Sequence, residues 1–415
     1  MKSGLTRRGW LTAAAAAPWL GPMGKPAAEP PSPEAPKFAE DALPPIDTVG
    51  IAQRVIATLA PSVGERAILF FDPGYYPELA LAIERELAKS GVEPLLAVAF
   101  DPPDLVESAD ARPGAAGRQD DFVSWLAPVF AKADLFLWLP ALALYSDTRL
   151  EHLLDGSRAR GIHFHWILGL EDRSAEEIER LSKLYERVIL ETDYAALSRE
   201  QERLIPLLRG KEIRLTSSDG TDLTLKVPRD AWFHKNDGDM SKARARQAQC
   251  VRDREMELPA GALRFIPDAA SVRGRLVVRR VPTPDGLVEG VALDFEEGRV
   301  TGLRAEKGED AFRQVWDSIG GDVDSVGEVV IGTNPLLVAS DPAGELPYFG
   351  YGAGAIRVSL GDNWESGGKN RTAGDRNWWL FLGDATLEAE GQSLVREGHL
   401  LDEEKKDTPQ RENAS

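Results

Sequence analysis

The sequence predicts a two-part chain: an α/β N-terminal domain, with a parallel sheet and flanking helices, and then a β-rich α+β C-terminal domain. Three observations lead there. From about residue 46 to 209, short apolar runs alternate with amphipathic stretches, the pattern of strands buried beneath crossover helices. From 211 the texture changes to alternating strands joined by tight turns, as in KEIRLTSSDGTDLTLKV (211–227), which is a hairpin signature. The chain has 415 residues, 43% of them hydrophobic, enough to fill two cores.

The first half reads element by element. Ala67-Ile68-Leu69-Phe70-Phe71 is a buried strand ending in the turn Asp72-Pro73-Gly74. Residues 77–90 place Leu79, Ala80, Ile83 and Leu87 on one helical stripe. Pro77 suits the first turn of that helix and Gly91 its C-terminal end. A strand is expected at Leu95–Phe100, a helix at 121–133, a strand at Leu135–Leu139, a helix near 148–159, and a strand at Ile162–Leu168. Residues 174–208 read as helical. No strand is followed by G-x-G-x-x-G or G-x-x-x-x-G-K-S/T, so nucleotide binding is not indicated.

In the second half the hairpin turns on Ser217-Ser218-Asp219-Gly220. LRFIP, GRLVVRRV and GVALDFEEGRV continue the strands over 263–300, with a turn at Glu297-Gly298. A helix is expected at 309–319, and strands at Glu328–Ile331, Ala355–Leu360 and Trp379–Leu382. Residues 401–415 form a polar tail.

The N-terminus reads as a signal. Lys2, Arg7 and Arg8 precede a weakly apolar stretch, Gly9 to Gly24, too short and Pro-interrupted to span a bilayer. Thr6-Arg7-Arg8-Gly9-Trp10-Leu11 resembles the twin-arginine export pattern. The expected layout is 1–28 signal peptide, 29–45 Pro/Ala-rich linker, 46–209 α/β domain, 210–400 β-rich domain and 401–415 tail. It implies export to the periplasm or beyond, with no stable membrane span after signal removal. The net charge of −18 argues against nucleic acid, whose binders need basic surface. Removing Lys2, Arg7, Arg8 and Lys25 makes the remainder more negative still.

Classical catalytic patterns are sparse. Cys250 is the single cysteine, so no intramolecular disulfide or cysteine-based metal site exists; it reads as a buried structural thiol. The five histidines are His152, His163, His165, His234 and His399. His163 and His165 alternate along an expected strand and read as polar residues at its mouth. His234, in DAWFHKNDGD, reads as an exposed loop residue with a potential substrate contact. There is no G-x-S-x-G elbow, and Ser359 and Ser366 have no histidine nearby in sequence, so a Ser-His-Asp triad is unsupported. Residues 352–379, GAGAIRVSLGDNWESGGKNRTAGDRNWW, are rich in turns and charges yet lack histidine and cysteine. Trp364, Trp378 and Trp379 could stack on a ligand, with core packing of one of the pair the simpler reading.

An ordered set of segments in the second half resembles the thermophilic metalloaminopeptidase family, of the aminopeptidase T and aminopeptidase S type. The segments are EIRLTSSDGTDLTLKV (212–227), LPAGALRFIPDAASVRGRLVV (258–278), GVALDFEEGRVTGLRAEKGED (290–310), VGEVVIGTNP (326–335) and GAIRVSLGDN (354–363). The N-terminal half matches more loosely, through GERAILFFD. The resemblance implies an aminopeptidase T-like two-domain architecture and a two-metal peptidase in which paired ions share a water and bind the substrate carbonyl. It also implies a dimer.

The ligand positions that the resemblance implies are largely altered. The family's Pro-x-Gly-Glu appears as Pro259-Ala260-Gly261-Ala262, without the Glu. Gly327-Glu328 keeps the second Glu. The strand position expected to be histidine is Arg357. The terminal His-x-Asp falls on Asp375-Arg376-Asn377 or Asn377-Trp378-Trp379, and neither contains histidine. Tyr348 or Tyr351 matches the family's tyrosine. A guanidinium among divalent ions would add repulsion of about 4 kcal/mol per unit charge at ~4 Å and an effective dielectric of ~20. The expected function is therefore an exported aminopeptidase-like protein whose dinuclear site is lost and whose remnant cleft binds a peptide or other small ligand. Arg357, Glu328, Asp375 and Asn377 would be its polar contacts, with Glu328 and Asp375 the remnant metal positions and no cofactor. The alternative is an active metalloaminopeptidase holding one or two ions such as zinc or cobalt through Glu328, Asp375 and His234.

Overall fold

The computed structural model describes residues 43–99, 126–140, 148–164, 166, 174–283, 285–337 and 350–402. The signal, most of the linker, His165, Tyr348 and nearly all of the tail lie outside them, as do parts of the expected 95–100, 121–133 and 162–168 elements. The description below concerns the body from Phe38 onward.

The first sheet is parallel and ordered β2-β1-β3-β4-β8. Its strands are β1 (Arg66–Phe71), β2 (Glu93–Ala99), β3 (Leu135–Trp138), β4 (Arg160–Phe164) and β8 (Glu255–Leu258). Alternation along each strand divides its side chains between two cores. Ala67, Leu69, Leu135, Leu137 and Ile162 pack with α1 (Thr48–Leu59), α2 (Pro77–Lys89) and α4 (Ala175–Glu191). Ile68, Phe70, Phe136 and Trp138 pack on the other face with Leu126, Phe130 and α3 (Thr148–Asp155). Helices thus cover both faces, as the sequence pattern requires. β8 comes from beyond residue 209, so the sheet is completed by the second half of the sequence.

Gly161, in β4, faces Phe136 of β3. A Cβ there would lie 1.9 Å from the Phe136 carbonyl oxygen and 2.5 Å from its ring. Gly161→Ala is expected to cost about 3 kcal/mol, at the upper end of overpacking. A denaturation midpoint within error of the parent would contradict this.

The stretch expected to be helical over 174–208 is two helices. α4 starts on a Ser174–Glu177 capping box. It stops at Thr192, and Asp193 caps α5 (Tyr194–Leu208) by accepting from the Ala196 N–H. An Asp before a new apolar stripe is itself a helix start.

The rest is antiparallel. An eight-stranded sheet is ordered β12-β11-β10-β6-β5-β16-β17-β18, with β12 at Arg299–Arg304, β16 at Thr386–Ala389, β17 at Gln392–Arg396 and β18 at His399–Leu400. It contains the 211–227 hairpin as β5 (Glu212–Thr216) and β6 (Asp222–Lys226), and the long pair β10 (Asp268–Thr283) and β11 (Gly286–Glu296). A five-stranded sheet is ordered β15-β14-β13-β9-β7. Its strands are β7 (Phe233–Lys235), β9 (Ala262–Phe265), β13 (Val326–Gly332), β14 (Ile356–Gly361) and β15 (Asn377–Leu382). One face of this sheet, with Leu263, Phe265, Val329, Ile331, Val358 and Leu380, shares a core with the eight-stranded sheet. The expected helix at 309–319 is present over Glu309–Ile319.

Candidate functional site

The other face of the five-stranded sheet is polar. Antiparallel register puts His234, Arg264, Val330, Arg357 and Phe381 in one cross-strand row. Glu328, Ser359 and Trp379 form the next. Cross-strand partners share a face, so Arg264, Arg357, Glu328 and Ser359 project together. Arg264 and Arg357 are only 2% and 1% exposed, and Glu328 6%.

These charges form a network that continues into β8. Arg264 donates through Nη2 to Glu257 and to the Tyr351 hydroxyl, and Tyr351 donates to Glu257. Glu257 also accepts from Asn236 Nδ2 at 3.1 Å. Glu328 Oε2 lies 3.6 Å from Arg264 Nη1 and 3.8 Å from Arg357 Nη2, and its Oε1 accepts from Ser366 Oγ. Arg252 pairs with Glu365, with Glu255 at 3.1 Å and with Glu257 at 3.5 Å. His163 Nδ1 lies 2.6 Å from Glu255 Oε1. The Arg357 guanidinium lies 4.7 Å from the Trp379 ring centroid and 5.8 Å from that of Tyr351.

The electrostatics follow from burial and pairing. Burial pushes the Glu328 carboxyl up, but Arg264, Arg252 and Arg357 together hold it below its ordinary value. Arg357 is lowered by burial and then by repulsion from Arg264. Burial raises the Tyr351 phenol, which stays protonated and can donate. In Glu255, burial is outweighed by Arg252 and His163, which bring the carboxyl down to about 2.

Several sequence expectations need correction. His234 is a strand residue, 2% exposed, with Nδ1 3.3 Å from Asp253 Oδ1. His163 is buried in the network rather than placed at a strand mouth. Cys250 is half-buried. Asp375 sits in a turn at φ 53° and meets His152 Nε2 at 2.7 Å, and that ring stacks on Trp364 at 4.6 Å. Asn377 begins β15, opposite Gly361. Trp378 packs on Phe312 at 4.2 Å, as the core reading of the pair expects. Sequence reasoning missed Arg252, Glu255, Glu257, Arg264 and Glu365. The available signal was charge inside otherwise apolar runs, in EMELPAGALRF (255–265).

The residues present do not fit a two-metal centre. Ala262 and Arg357 occupy two positions where the resemblance expects ligands, and neither side chain has a lone pair to offer a metal. The alternative set is not assembled either: His234 is paired with Asp253, and Asp375 with His152. Among the described residues, no group of three or more His, Cys, Asp or Glu is placed to hold a metal ion.

The family model of the thermophilic metalloproteases (M29) matches residues 183–340. That segment carries β8, β9 and β13, and with them Glu257, Arg264 and Glu328. Over residues 183–340 the chain is similar to that family. The wider M29-like fold is supported by AmpT from Thermus thermophilus, with a TM-score of 0.59 and 16% identity over 86% of this chain and 99% of that one. The 2,5-dihydroxypyridine dioxygenase of Pseudomonas putida KT2440 is similar in the same degree. It has a TM-score of 0.59 and 18% identity over 87% of this chain and all of its own. At such identities the likeness is one of fold. No curated protein matches the sequence.

Proposed function

We propose that this is an exported protein on the M29 aminopeptidase frame that binds a peptide or another small ligand in the remnant cleft, without two-metal peptide hydrolysis. The observation that carries the reading is Arg357, buried beside Glu328 where the resemblance places an imidazole ligand. A permanent cation there takes the electrostatic role of a metal for Glu328 and leaves nothing to activate water. Arg357 and Glu328 form the polar floor, and Asp375 and Asn377 belong to the loop and strand beside it. One frame shared with AmpT and a dioxygenase does not fix a chemistry, so the site decides. Export rests on the Thr6–Leu11 pattern, and a homodimer rests on resemblance.

The test is metal content after incubation with zinc or cobalt and desalting, alongside release of N-terminal residues from peptides. Near-zero metal and no chelator-sensitive release are expected. One or two ions retained per chain, and lost in Glu328→Ala, would overturn the reading in favour of an active metalloaminopeptidase.

A further inference from the structure

Arg357 and Ser359 are two residues apart on β14 and project from the same face. Ser359 lies in register between Glu328 and Trp379. The Arg357 guanidinium reaches both of those neighbours, 3.8 Å from Glu328 and 4.7 Å from the Trp379 ring, so it extends over Ser359. Arg357 and Ser359 are each 1% exposed. Yet Arg357 Nε, Arg357 Nη1 and Ser359 Oγ are buried without a hydrogen-bond partner, as are Arg264 Nε and Trp364 Nε1. The arginine and indole nitrogens can only donate. Buried donors left unpaired are costly and rare, so the Arg357 end of this face is short of acceptors. The same Glu328 oxygen serves Arg264 and Arg357, at 3.6 and 3.8 Å, both beyond hydrogen-bond length.

We propose that the missing acceptor is a carboxylate carried by the bound ligand, seated against the guanidinium of Arg357 and beside Ser359. The proposal rests on the ligand-binding reading above and gives that ligand a chemical class. A carboxylate supplies acceptors only and matches the planar guanidinium, whose own contact with Glu328 is beyond hydrogen-bond length. Its source is either a free small acid or the C-terminus of a peptide.

The test is calorimetric titration of the folded full-length protein with two acid–amide pairs. Benzoate against benzamide represents a free acid, and N-acetylglycine against N-acetylglycinamide a peptide C-terminus. At least one acid is expected to bind roughly tenfold or more tightly than its amide, as a charge-assisted pair should, and the acid that binds identifies the source. Arg357→Lys is expected to weaken that acid by about tenfold, since an ammonium does not reproduce the planar fork. Ser359→Ala is expected to weaken it several-fold, with thermal midpoints confirming that the variant folds. If Arg357→Lys fails to fold, the acid–amide ratio and Ser359→Ala still decide. Equal binding of acids and amides, or no acid binding to the folded parent, overturns the inference and leaves the orphan donors to water. If that happens with near-zero metal, the ligand-binding reading survives. Retained metal removes that reading on separate grounds.

Discussion

Arg264→Ala is expected to destabilise the fold by about 3–5 kcal/mol, the cost of breaking a buried ion network from one side. Arg264 is the hub of the polar face: it meets Glu257, the Tyr351 hydroxyl and Glu328. Its removal leaves Glu257 with Arg252 at 3.5 Å as its remaining arginine, and Glu328 with Arg357 at 3.8 Å, in a place where burial pushes the Glu328 carboxyl up. Arg357 does not compensate, because it reaches Glu328 only at 3.8 Å. Chemical denaturation at neutral pH reads the effect. The double variant Arg264→Met with Glu257→Gln is expected to recover part of the loss, since neutralising both sides removes a stranded charge. A loss below about 1 kcal/mol for Arg264→Ala would mean that the carboxylates are solvated rather than buried. The network would then not be what holds this face together.

Much of the fold was legible because it is written locally. Ala67 to Phe71 is apolar on both faces, and the structure uses both, one for α1, α2 and α4 and the other for α3. The Ser217–Gly220 turn fixes a hairpin with near-neighbour contacts alone. The stop at Thr192 was written too, in Asp193, but a continuous apolar stripe masks a break when periodicity is read alone. The addition of β8 to the parallel sheet was not legible, because nothing in four residues names a partner strand some ninety positions away. The site divides in the same way. Comparing ligand positions was enough to single out Arg357 and Glu328. Arg252, Glu257 and Arg264 gain their meaning only once β8, β9 and β13 are brought together. A charge in a short strand reads as solvated until the sheet that buries it is known. His234 shows the same limit, since the polar run that follows it, Lys235 to Asp239, gave no sign that it would pair beside Arg264 in a buried row.

The same network is expected to make the protein acid-labile over a defined window. Glu255 is buried, which raises its carboxyl, but Arg252 and His163 outweigh that and hold it at about 2 against an ordinary 4.5. A carboxylate depressed in the folded state contributes its full stability above the unfolded value and loses it as pH falls towards the folded one. Stability should therefore be level above about pH 5 and decline from there to about pH 2. Asp253 adds to the slope in the lower part of that window. Its burial is outweighed by His234, the Gln249 N–H and Trp232, which also leave it at about 2. Glu328 acts with the same sign, lowered by Arg264, Arg252 and Arg357 against its burial. For Glu255 alone the neutral-pH contribution is on the order of 3 kcal/mol. Glu255→Gln removes the titrating group while keeping its shape. Its deficit against the parent should be largest at pH 7 and shrink steadily below pH 4.5, so the two curves converge in acid. Denaturant midpoints at intervals from pH 7 to pH 2.5 measure this. Parallel curves would mean that Glu255 is not charged in the folded protein, and the pairing with Arg252 and His163 would have to be redrawn.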